Sequence, residues 1–578
     1  MKKHQNLKVL FLCFLCSAMS PFARGQDIEH IGKSITTRVQ QNDMLRLKGR
    51  LYANLRYNDV YGIPPRADPF SLRFNAQLNV DFLGVKAPFS AAFSDGDPTF
   101  HYPAYAFCGA SPAYKWATLH LGDRVLNFSP YTFSGHHFSG IGFEVKPGKF
   151  YLAAFSGRLR RARPEDAGKL QHLDPVYKRL GWGVKAGVSD GENSIHFILF
   201  AAHDLPGSLH FSDTSRTVSP EENVTLGLQV RRKVGKLAAI DLDFGRSALT
   251  RDSRSPAAAE SPRVPFYRMA GLFKPNLSSG YHNAFKATLS LKPGFGDFNA
   301  QFEKIDPGYR SLGALFFNND LENFTLGGRI PLFTKKAFVA LNSGIQRSIT
   351  GRQSAPGLHR FIGSIDLSAQ PGSRLNASLS LSNFSTTTRA TLVRTPFVDT
   401  DSLILTQTNA SAYLAVTYFG GKTKRSVWIL AGSFQKANAI EGDQIRADLS
   451  HAFKTAMVSH TFTTGTGGWK LNSSCLANFT AAQGSGTTVV GPALTVSKAF
   501  GGGKWEMSSS VSNSLVFQEG ELINRVFNIR CSSGFQPGKN QGIDFGLFYT
   551  RAREGPPGGF ASGFREWNFS VAYTYRLI

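Results

Sequence analysis

The segment SGHHFSG places two adjacent histidines, His136 and His137, among serine residues. Serine and histidine are residue types of nucleophilic catalysis, in which a base activates the hydroxyl and a third group orients the base. Adjacent residues of a strand point to opposite sides, so the two rings cannot serve one site together. No acidic residue stands at a spacing that completes such a set. The pattern favours loop or rim histidines, and we expect no enzyme activity.

Two acidic stretches could offer carboxylate oxygens to a cation. SDGDPTF contains Asp95 and Asp97, but it lacks the loop length and terminal Glu of a dedicated calcium site. SDGENS at Asp190 is typical of a tight turn, since Asp-Gly favours hairpins. The sequence shows no Walker loop, HExxH motif or paired zinc ligands. We therefore expect neither a metal nor a cofactor.

A run of cations follows the alternation of a single strand. Two alternating segments, residues 45–57 and 71–82, carry polar residues on one side. These are Arg46, Lys48, Arg50, Arg56, Arg73, Asn75 and Gln77. Residues two apart in a strand share a face, so these side chains would form a positive stripe. Facing a water-filled lumen, such a stripe favours anions, as rings of Arg or Lys do in anion-conducting pores. The alternative is an ordinary charged face near a rim.

The elements that must position these residues are two-sided strands. LRLKGRLYANLRY alternates apolar residues with polar ones, and SLRFNAQLNVDF repeats the device. One face of such a strand favours hydrocarbon and the other favours water. NVTLGLQV, LAAIDLDF, FKATLSL, RLNASLSLSNF and GIDFGLFY follow the same pattern. The recurrence from residue 45 onward indicates one all-β architecture.

Short turns alternate with longer polar stretches between these strands. The turns are KPGK at Lys146, KPGFG at Lys292, QPGS at Gln370, FGGGK at Phe500 and QPGK at Gln536. Short turns at one rim and long loops at the other are typical of an outer-membrane barrel. A soluble sandwich or propeller also uses alternating strands, but many polar faces here are uncharged and no fixed repeat is visible.

The predicted fold is therefore a single transmembrane antiparallel barrel over residues 45–578, with about 26 strands and a range of 22 to 28. The alternation of turns and loops does not close near Val264 to Tyr281 or near Gln444 to Thr464. A wall of that size is roughly 50 Å across, which predicts that loops or a partner protein fill most of the hole, with residues 26–44 as a further lumenal candidate.

The last twelve residues, WNFSVAYTYRLI, alternate most strongly of all. Their apolar positions are Trp567, Phe569, Val571, Tyr573, Tyr575 and Leu577. This strand resembles the C-terminal β-signal of bacterial outer-membrane proteins, although those signals usually end on an aromatic residue. The resemblance implies recognition by the barrel-assembly machinery.

The first 25 residues have the pattern of a secretory signal peptide: lysines, a short apolar run, then small residues. We expect export through the general secretory route to the bacterial outer membrane. Residues 26–44 are expected to be a periplasmic or lumenal segment, and the helical spacing of its Ile and Val residues indicates a short amphipathic helix. No later run is long enough for a membrane helix. The three cysteines after the signal indicate no disulfide framework.

The formal charge of +25 favours anionic lipid, polysaccharide or solutes, since an exported protein rarely meets nucleic acid. Contact with lipopolysaccharide phosphates is expected for Arg158, Arg160, Arg161 and Arg163. Two functions remain open at this point. One is a porin-like channel or transport barrel with a cationic lumen. The other is a scaffold subunit that holds outer-membrane or periplasmic proteins in a secretion, nutrient-uptake or barrel-assembly complex.

Overall fold

A computed structural model describes most of the chain from Leu45 onward. The described residues are 45–65, 68–82, 84–95, 105–164, 175–209, 218–258, 268–314, 319–334, 336–347, 349, 359–389, 404–421, 426–441, 444–464, 468–482, 485–554 and 563–577. The expected signal peptide, the segment 26–44 and Asp97 lie outside the described residues.

The described strands form one large antiparallel sheet that closes on itself. It contains 27 strands, of which β4 (Tyr105–Ala110) and β5 (Ala113–Tyr114) share one place in the wall because Ser111 and Pro112 interrupt a single strand. The wall therefore has 26 strands, each paired with its neighbours along the chain. The first strand also pairs with the last, with Leu51 opposite Tyr575 and Tyr57 opposite Phe569. This closure removes the sheet edges and excludes the sandwich and propeller alternatives.

Apart from β1, with 17 residues, the strands of the first half of the wall have 13 residues or fewer. They are β1 (Leu45–Tyr61), β2 (Phe70–Phe82), β3 (Val85–Ser94), β4 (Tyr105–Ala110), β5 (Ala113–Tyr114), β6 (Ala117–Val125), β8 (His137–Val145), β9 (Phe150–Arg160), β10 (Arg179–Ser189), β11 (Ser194–Asp204), β12 (Glu222–Val234), β13 (Ala238–Thr250), β14 (Ser279–Leu291) and β15 (Asp297–Ile305). Two further strands, β7 (Phe133–Ser134) and β16 (Gly313–Ala314), pair with each other outside the wall.

The second half contains longer strands. They are β17 (Leu321–Leu332), β18 (Ala337–Arg347), β19 (His359–Gly372), β20 (Leu375–Arg389), β21 (Ile404–Gly420), β22 (Ser426–Glu441), β23 (Gln444–Thr463), β24 (Lys470–Ala482), β25 (Ser485–Phe500), β26 (Trp505–Gln518), β27 (Glu521–Gly538), β28 (Gln541–Glu554) and β29 (Arg565–Leu577). Three 3-10 turns are described at Pro206–Ser208, Met269–Gly271 and Gly501–Gly503.

The two rims of the barrel differ, as the turn pattern predicts. The Pro-Gly and Gly-rich turns all lie at one rim, which we call the short-turn rim; Gly148 in KPGK has a φ of 63°, which favours glycine. The opposite rim, the long-loop rim, carries connections such as residues 161–178 and 251–278. These bounds resolve one of the two places where the pattern did not close, because Gln444 begins the 20-residue strand β23. Val264 lies outside the described residues, and Tyr281 lies in β14.

The register gives the wall two chemically different faces. Directly paired residues of an antiparallel sheet share a face, so one face can be followed from strand to strand around the barrel. The lipid-type face carries large apolar side chains that remain 40–46% exposed in β29, namely Trp567, Phe569, Val571 and Tyr573. None of the described helical segments has the length and apolar character of a membrane span. A continuous exposed apolar band on a closed sheet is suited to lipid.

Candidate functional site

The inner face of the barrel is packed along one sector by two loops from the long-loop rim. We call them the first inner loop, residues 126–136 between β6 and β8, and the second inner loop, residues 306–314 between β15 and β17. Their short strands β7 and β16 pair in parallel, with Phe133 opposite Gly313. The sector of wall they contact runs from β8 to β15, so we call the arc from β8 to β17 the filled sector.

Aromatic side chains of the first inner loop form a core against the wall. Phe133 is fully buried, and its ring centroid lies 4.3 Å from that of Phe155 on β9 and 5.4 Å from that of Phe200 on β11. Phe128 lies 5.7 Å from Phe155. Buried aromatic groups of this kind dominate packing energy, so this loop is part of the barrel's core.

Hydrogen bonds join the two inner loops to each other and to the wall. The Tyr309 hydroxyl donates to the Tyr131 carbonyl at 2.7 Å, and the Tyr131 hydroxyl donates to Glu303 on β15 at 2.6 Å. Asn223 on β12 accepts from the Leu312 amide at 3.0 Å. Burial raises the pKa of both tyrosines well above the usual range, so the hydroxyls stay protonated as donors.

Glycines on the inner face let the loops approach the wall closely. A Cβ at Gly245 would lie 2.7 Å from Tyr131 Cβ and 2.6 Å from the Tyr309 hydroxyl oxygen. A Cβ at Gly183 would lie 2.8 Å from the Phe128 ring. Both positions therefore need glycine because any larger side chain would displace a loop.

An ion-pair network lies on the inner face at the long-loop rim and holds the second inner loop. Arg179 Nε pairs with Asp204 at 2.7 Å, and Arg179 Nη2 pairs with Glu221 at 2.9 Å. Arg310 of the loop also pairs with Glu221, at 2.5 Å, and Arg160 pairs with Asp204 at 3.3 Å. The Asp204 side chain is 1% exposed and that of Arg179 is 6% exposed. Charges this deeply buried require their partners.

No spacing in the sequence indicates this network, because its members come from four strand ends and a distant loop. The loop itself had a readable signal. Phe128, Tyr131 and Phe133 are large aromatic residues in a stretch that connects two strands, where polar residues are usual. Large aromatic residues in a loop indicate that the loop packs against another part of the protein.

The predicted cationic residues lie together on a different arc of the inner face. Register pairs place Arg50 opposite Gln77, Tyr52 opposite Asn75 and Asn54 opposite Arg73. Lys48 is paired with Asn79, Arg46 with Asp81, and Arg56 with Ser71. All seven predicted residues are thus on the face opposite Trp567 and Phe569. We call the four cations of β1, Arg46, Lys48, Arg50 and Arg56, the cationic ladder.

Neighbouring strands extend this positive surface. The inner positions of β29, β1, β2 and β3 carry the cations Arg46, Lys48, Arg50, Arg56, Arg73, Lys86 and Arg576, and the acidic residues Asp81 and Glu566. Arg50 Nη2 donates to the Thr574 hydroxyl at 3.4 Å, and Arg56 Nε donates to the Asn568 amide oxygen at 2.8 Å. From Arg46 to Arg56 the ladder covers about 33 Å of strand.

The remaining arc is lined mainly by small polar side chains. Inner positions of β26 are Ser508, Ser510 and Ser512, and those of β20 are Ser378, Ser380 and Ser382. The three buried apolar clusters of the described residues all lie between β6 and β17 and the loops there. We call β18 to β29 together with β1 to β3 the open sector, since no described loop packs against its inner face.

The histidines and acidic stretches occupy rim and turn positions. His137 begins β8, and His136 Nδ1 lies 3.0 Å from the His137 carbonyl oxygen. The Asp95 carboxylate accepts from the Leu72 amide at 2.7 Å. Asp190 accepts from the Asn193 amide in the β10–β11 turn at 2.6 Å, and these bonds lower the pKa of its carboxyl. No cluster of three metal-ligating side chains occurs among the described residues.

The four predicted lipopolysaccharide contacts are divided between the faces. Arg158 lies on the lipid-type face, where its guanidinium donates to the Ser139 hydroxyl at 3.3 Å. Arg160 lies on the inner face in the ion-pair network. Arg161 and Arg163 follow β9, and Arg163 forms a bridge with Val176. Lipopolysaccharide contact is a proposal for the exposed members of this set.

Comparisons with known proteins give barrels and no family. No family model and no curated protein matches the chain. Among solved structures, the P pilus usher PapC translocation pore is similar over 92% of this chain and 99% of its own, with a TM-score of 0.38 and 10% identity. The FrpB iron transporter from Neisseria meningitidis covers 92% of this chain and 82% of its own, with a TM-score of 0.39 and 8% identity.

A third similar structure is the copper transporter OprC, which covers 92% of this chain and 80% of its own, with a TM-score of 0.40 and 10% identity. Similarity at these identities concerns the arrangement of strands alone and says nothing of what this protein transports or binds. The closed sheet, its exposed apolar band and its polar interior are properties of this chain itself. It is a closed, 26-stranded antiparallel β-barrel of the outer-membrane, porin-like type.

Proposed function

We propose that the protein is a transport channel of the outer membrane that favours anionic solutes. The observation that carries this proposal is the cationic ladder on the inner face, in the sector that no described loop covers. A transport path through the barrel would run beside these residues, away from the packed loops of the filled sector.

The physical basis is an excess of positive charge on a low-dielectric wall. Seven cations against two acidic residues on the inner face of β29 to β3 produce a positive potential along one side of the path. Walls of low dielectric constant focus such a field and raise the local concentration of anions. The ladder covers about 25 Å along the barrel axis for a strand tilt of about 40°, close to the height of a membrane-spanning apolar band.

The inner loops give the channel a fixed constriction. The ion-pair network anchors the second inner loop through Arg310 and Glu221. The loop also donates a hydrogen bond from the Leu312 amide to Asn223 and accepts one from the Ser247 hydroxyl at the Arg310 carbonyl. Loops held by an ion pair, by hydrogen bonds to the wall and by buried aromatic rings keep one conformation on the time scale of solute passage. The lumen is thereby narrowed to the open sector.

The test is ion selectivity of the refolded, partner-free protein in a planar bilayer under a salt gradient. We expect anion preference, and we expect Arg46→Glu with Arg50→Glu to lower the anion-to-cation permeability ratio by roughly threefold or more, because each exchange reverses a charge beside the path. The matched control is Lys539→Glu in the β27–β28 turn, outside the lumen, which should leave the ratio unchanged. Cation preference in the unmodified protein, or equal shifts in the ladder and control variants, would refute the proposal.

A second candidate function is a scaffold barrel whose open sector holds a partner protein. The width of a 26-stranded wall favours it, since the described inner loops cover only the strands from β8 to β17. A correctly folded barrel that conducts no ions would exclude the channel and leave the scaffold.

A further inference from the structure

A groove lies on the lipid-type face of the barrel, near the short-turn rim of strands β25 to β29. It has a volume of about 510 Å³ and an almost wholly apolar lining. Its walls include Met507, Ser509, Cys531, Ser533, Phe545 and Val571. The volume is within the range of about 300–1,000 Å³ that is usual for small-molecule sites.

Small side chains at lipid-facing positions create the groove. Ser509 stands opposite Cys531 across the β26–β27 pair, with their side-chain oxygen and sulfur 3.4 Å apart. Their neighbours on the same face, Met507 and Phe545, are 48% exposed and form raised edges. The small residues therefore leave an apolar depression between the larger side chains that line it.

One end of the groove carries a single cation. The Lys498 ammonium lies 4.6 Å from the ring centroid of Trp469 and 4.8 Å from that of Phe500. Phe500 is the last residue of β25, so this amine is at the level where aromatic residues meet the membrane surface. Lysine at this level places its charge at the lipid headgroups while its stem stays in hydrocarbon.

No carboxylate is available to this amine on its own face. Among the described lipid-facing positions of β25 to β29 in the half nearest the short-turn rim, none is acidic. Glu506 and Asp544, which are near it in the wall, lie on the inner face with Arg50. The positive charge at the mouth of an apolar groove thus calls for an anion that carries a long apolar group.

We propose that this groove binds one phospholipid with a net negative headgroup. The phosphodiester would pair with Lys498 between the two aromatic rings, and an acyl chain would lie in the groove over Ser509 and Cys531. Short turns lie on the periplasmic side in outer-membrane barrels, so the lipid would belong to the inner leaflet. A charge-assisted hydrogen bond next to hydrocarbon adds both affinity and a choice of headgroup.

A second copy of this chain is the competing occupant, and the lysine disfavours it. Burial of Lys498 in an interface between copies would remove an ammonium from water and from lipid phosphate, which is costly without an opposite charge. The groove face of a copy would bring another Lys498 and no carboxylate. The charge complementarity therefore favours lipid.

The experiment measures phospholipid retained by the full, refolded chain. The protein is folded into vesicles of phosphatidylethanolamine and phosphatidylglycerol, extracted in mild detergent and examined by native mass spectrometry. We expect one retained phosphatidylglycerol, and we expect Lys498→Ser and Ser509→Leu each to reduce its occupancy about tenfold, through loss of the charge pair and filling of the groove respectively.

Two variants on the same face serve as matched controls. Lys454→Ser removes an exposed lysine that lies 5.3 Å from the ring centroid of Phe479 on β24, away from the groove, and Ser473→Leu enlarges a lipid-facing position that does not line it. Both should retain the lipid, and a heat-dependent gel shift shows that all four variants are folded.

Three results would overturn the proposal. Equal retention in all variants would mean annular lipid only. Equal retention of both lipids, unaffected by Lys498→Ser, would remove the role of the charge. A lipid-free oligomer of the unmodified chain that Ser509→Leu dissociates would assign the groove to a second copy.

Discussion

The filled sector and the open sector of this barrel are built from the same alternating strands, yet their inner faces differ. In the filled sector the inner positions include Gly183, Gly227 and Gly245, each within van der Waals distance of a loop side chain if it carried a Cβ. In the open sector the corresponding positions are mainly serine, threonine and asparagine. Glycine marks where backbone and loop meet, and small polar residues mark where the wall meets water.

The two sectors also use charge differently. In the filled sector acidic and basic residues alternate in a buried network with Asp204 at its centre. In the open sector the cationic ladder has few acidic neighbours and stays on a solvated wall. Buried ion pairs fix a conformation, whereas an excess of one sign of charge along a polar wall acts on mobile ions. The comparison separates a half of the lumen that is packed by loops from a half along which the proposed transport path would run.

The largest effect is expected from breaking the buried network. Asp204→Asn removes the carboxylate that pairs with Arg179 and Arg160, and it leaves the Arg179 guanidinium, 6% exposed, with Glu221 alone. We expect a loss of roughly 2–4 kcal/mol in the free energy of unfolding, because the buried Arg179 guanidinium loses one of its two carboxylates and shares the other, Glu221, with Arg310. Urea unfolding of the refolded barrel in lipid vesicles measures this change.

The matched control is Asp241→Asn, which breaks the pair between Asp241 on β13 and Arg231 on β12. Those side chains are 30% and 61% exposed, so we expect a change of about 0–1 kcal/mol. Similar losses in the two variants would contradict the distinction between buried and solvated pairs in this lumen.

A smaller effect is expected from forcing the inner loops away from the wall. Gly245→Leu places a side chain where Tyr131 and Tyr309 pack, and we expect it to destabilise the packed loops by about 1–3 kcal/mol. The single-channel conductance should rise or fluctuate between levels, since displaced loops vacate the filled sector.

Ser510→Leu on β26 is the control for this change. It enlarges an inner position of the open sector that faces Thr495 and Arg530 across its two neighbours. We expect it to keep a single conductance level, unchanged or lower, because it meets no loop. A rise in conductance for Ser510→Leu, or none for Gly245→Leu, would show that the loops do not set the constriction.

Much of the wall could be predicted from the sequence because a period of two is a local signal. The apolar positions of WNFSVAYTYRLI share the lipid-type face in β29, and the turns KPGK, KPGFG and QPGK all lie at one rim. The strand number of 26 is confirmed by the closed sheet. The pairing of the first strand with the last could also be predicted, since a barrel without sheet edges requires it.

The contents of the lumen could not be predicted in the same way. Phe133 meets Phe155 and Phe200 across connections of different length, and no local pattern encodes which wall a loop contacts. The network of Arg179, Asp204, Glu221 and Arg310 depends on four separate chain segments meeting at one rim. The cationic ladder could be predicted from the sequence because its members lie on one strand. Its effect on ions could not, because that effect depends on which loops and side chains occupy the lumen beside it.

The smallest effect concerns the protonation of His136 in the first inner loop. Its ring stacks on Phe133 at a centroid distance of 6.3 Å, and burial, together with nearby Arg179 and Arg160, lowers the pKa of His136 below its ordinary value near 6.5. The packed loop therefore favours the neutral ring. Its contribution to stability is full above the ordinary pKa and is lost as the pH falls through the lowered one.

Acidification from neutral pH should accordingly loosen the first inner loop and increase current fluctuations through the channel. His136→Gln cannot titrate, so the pH-dependent part of the fluctuations should disappear in that variant. His137→Gln changes the exposed neighbouring ring and should keep the dependence. If the fluctuations rise on acidification equally in both variants, the titrating group is elsewhere, and His136 packs in the filled sector without controlling it.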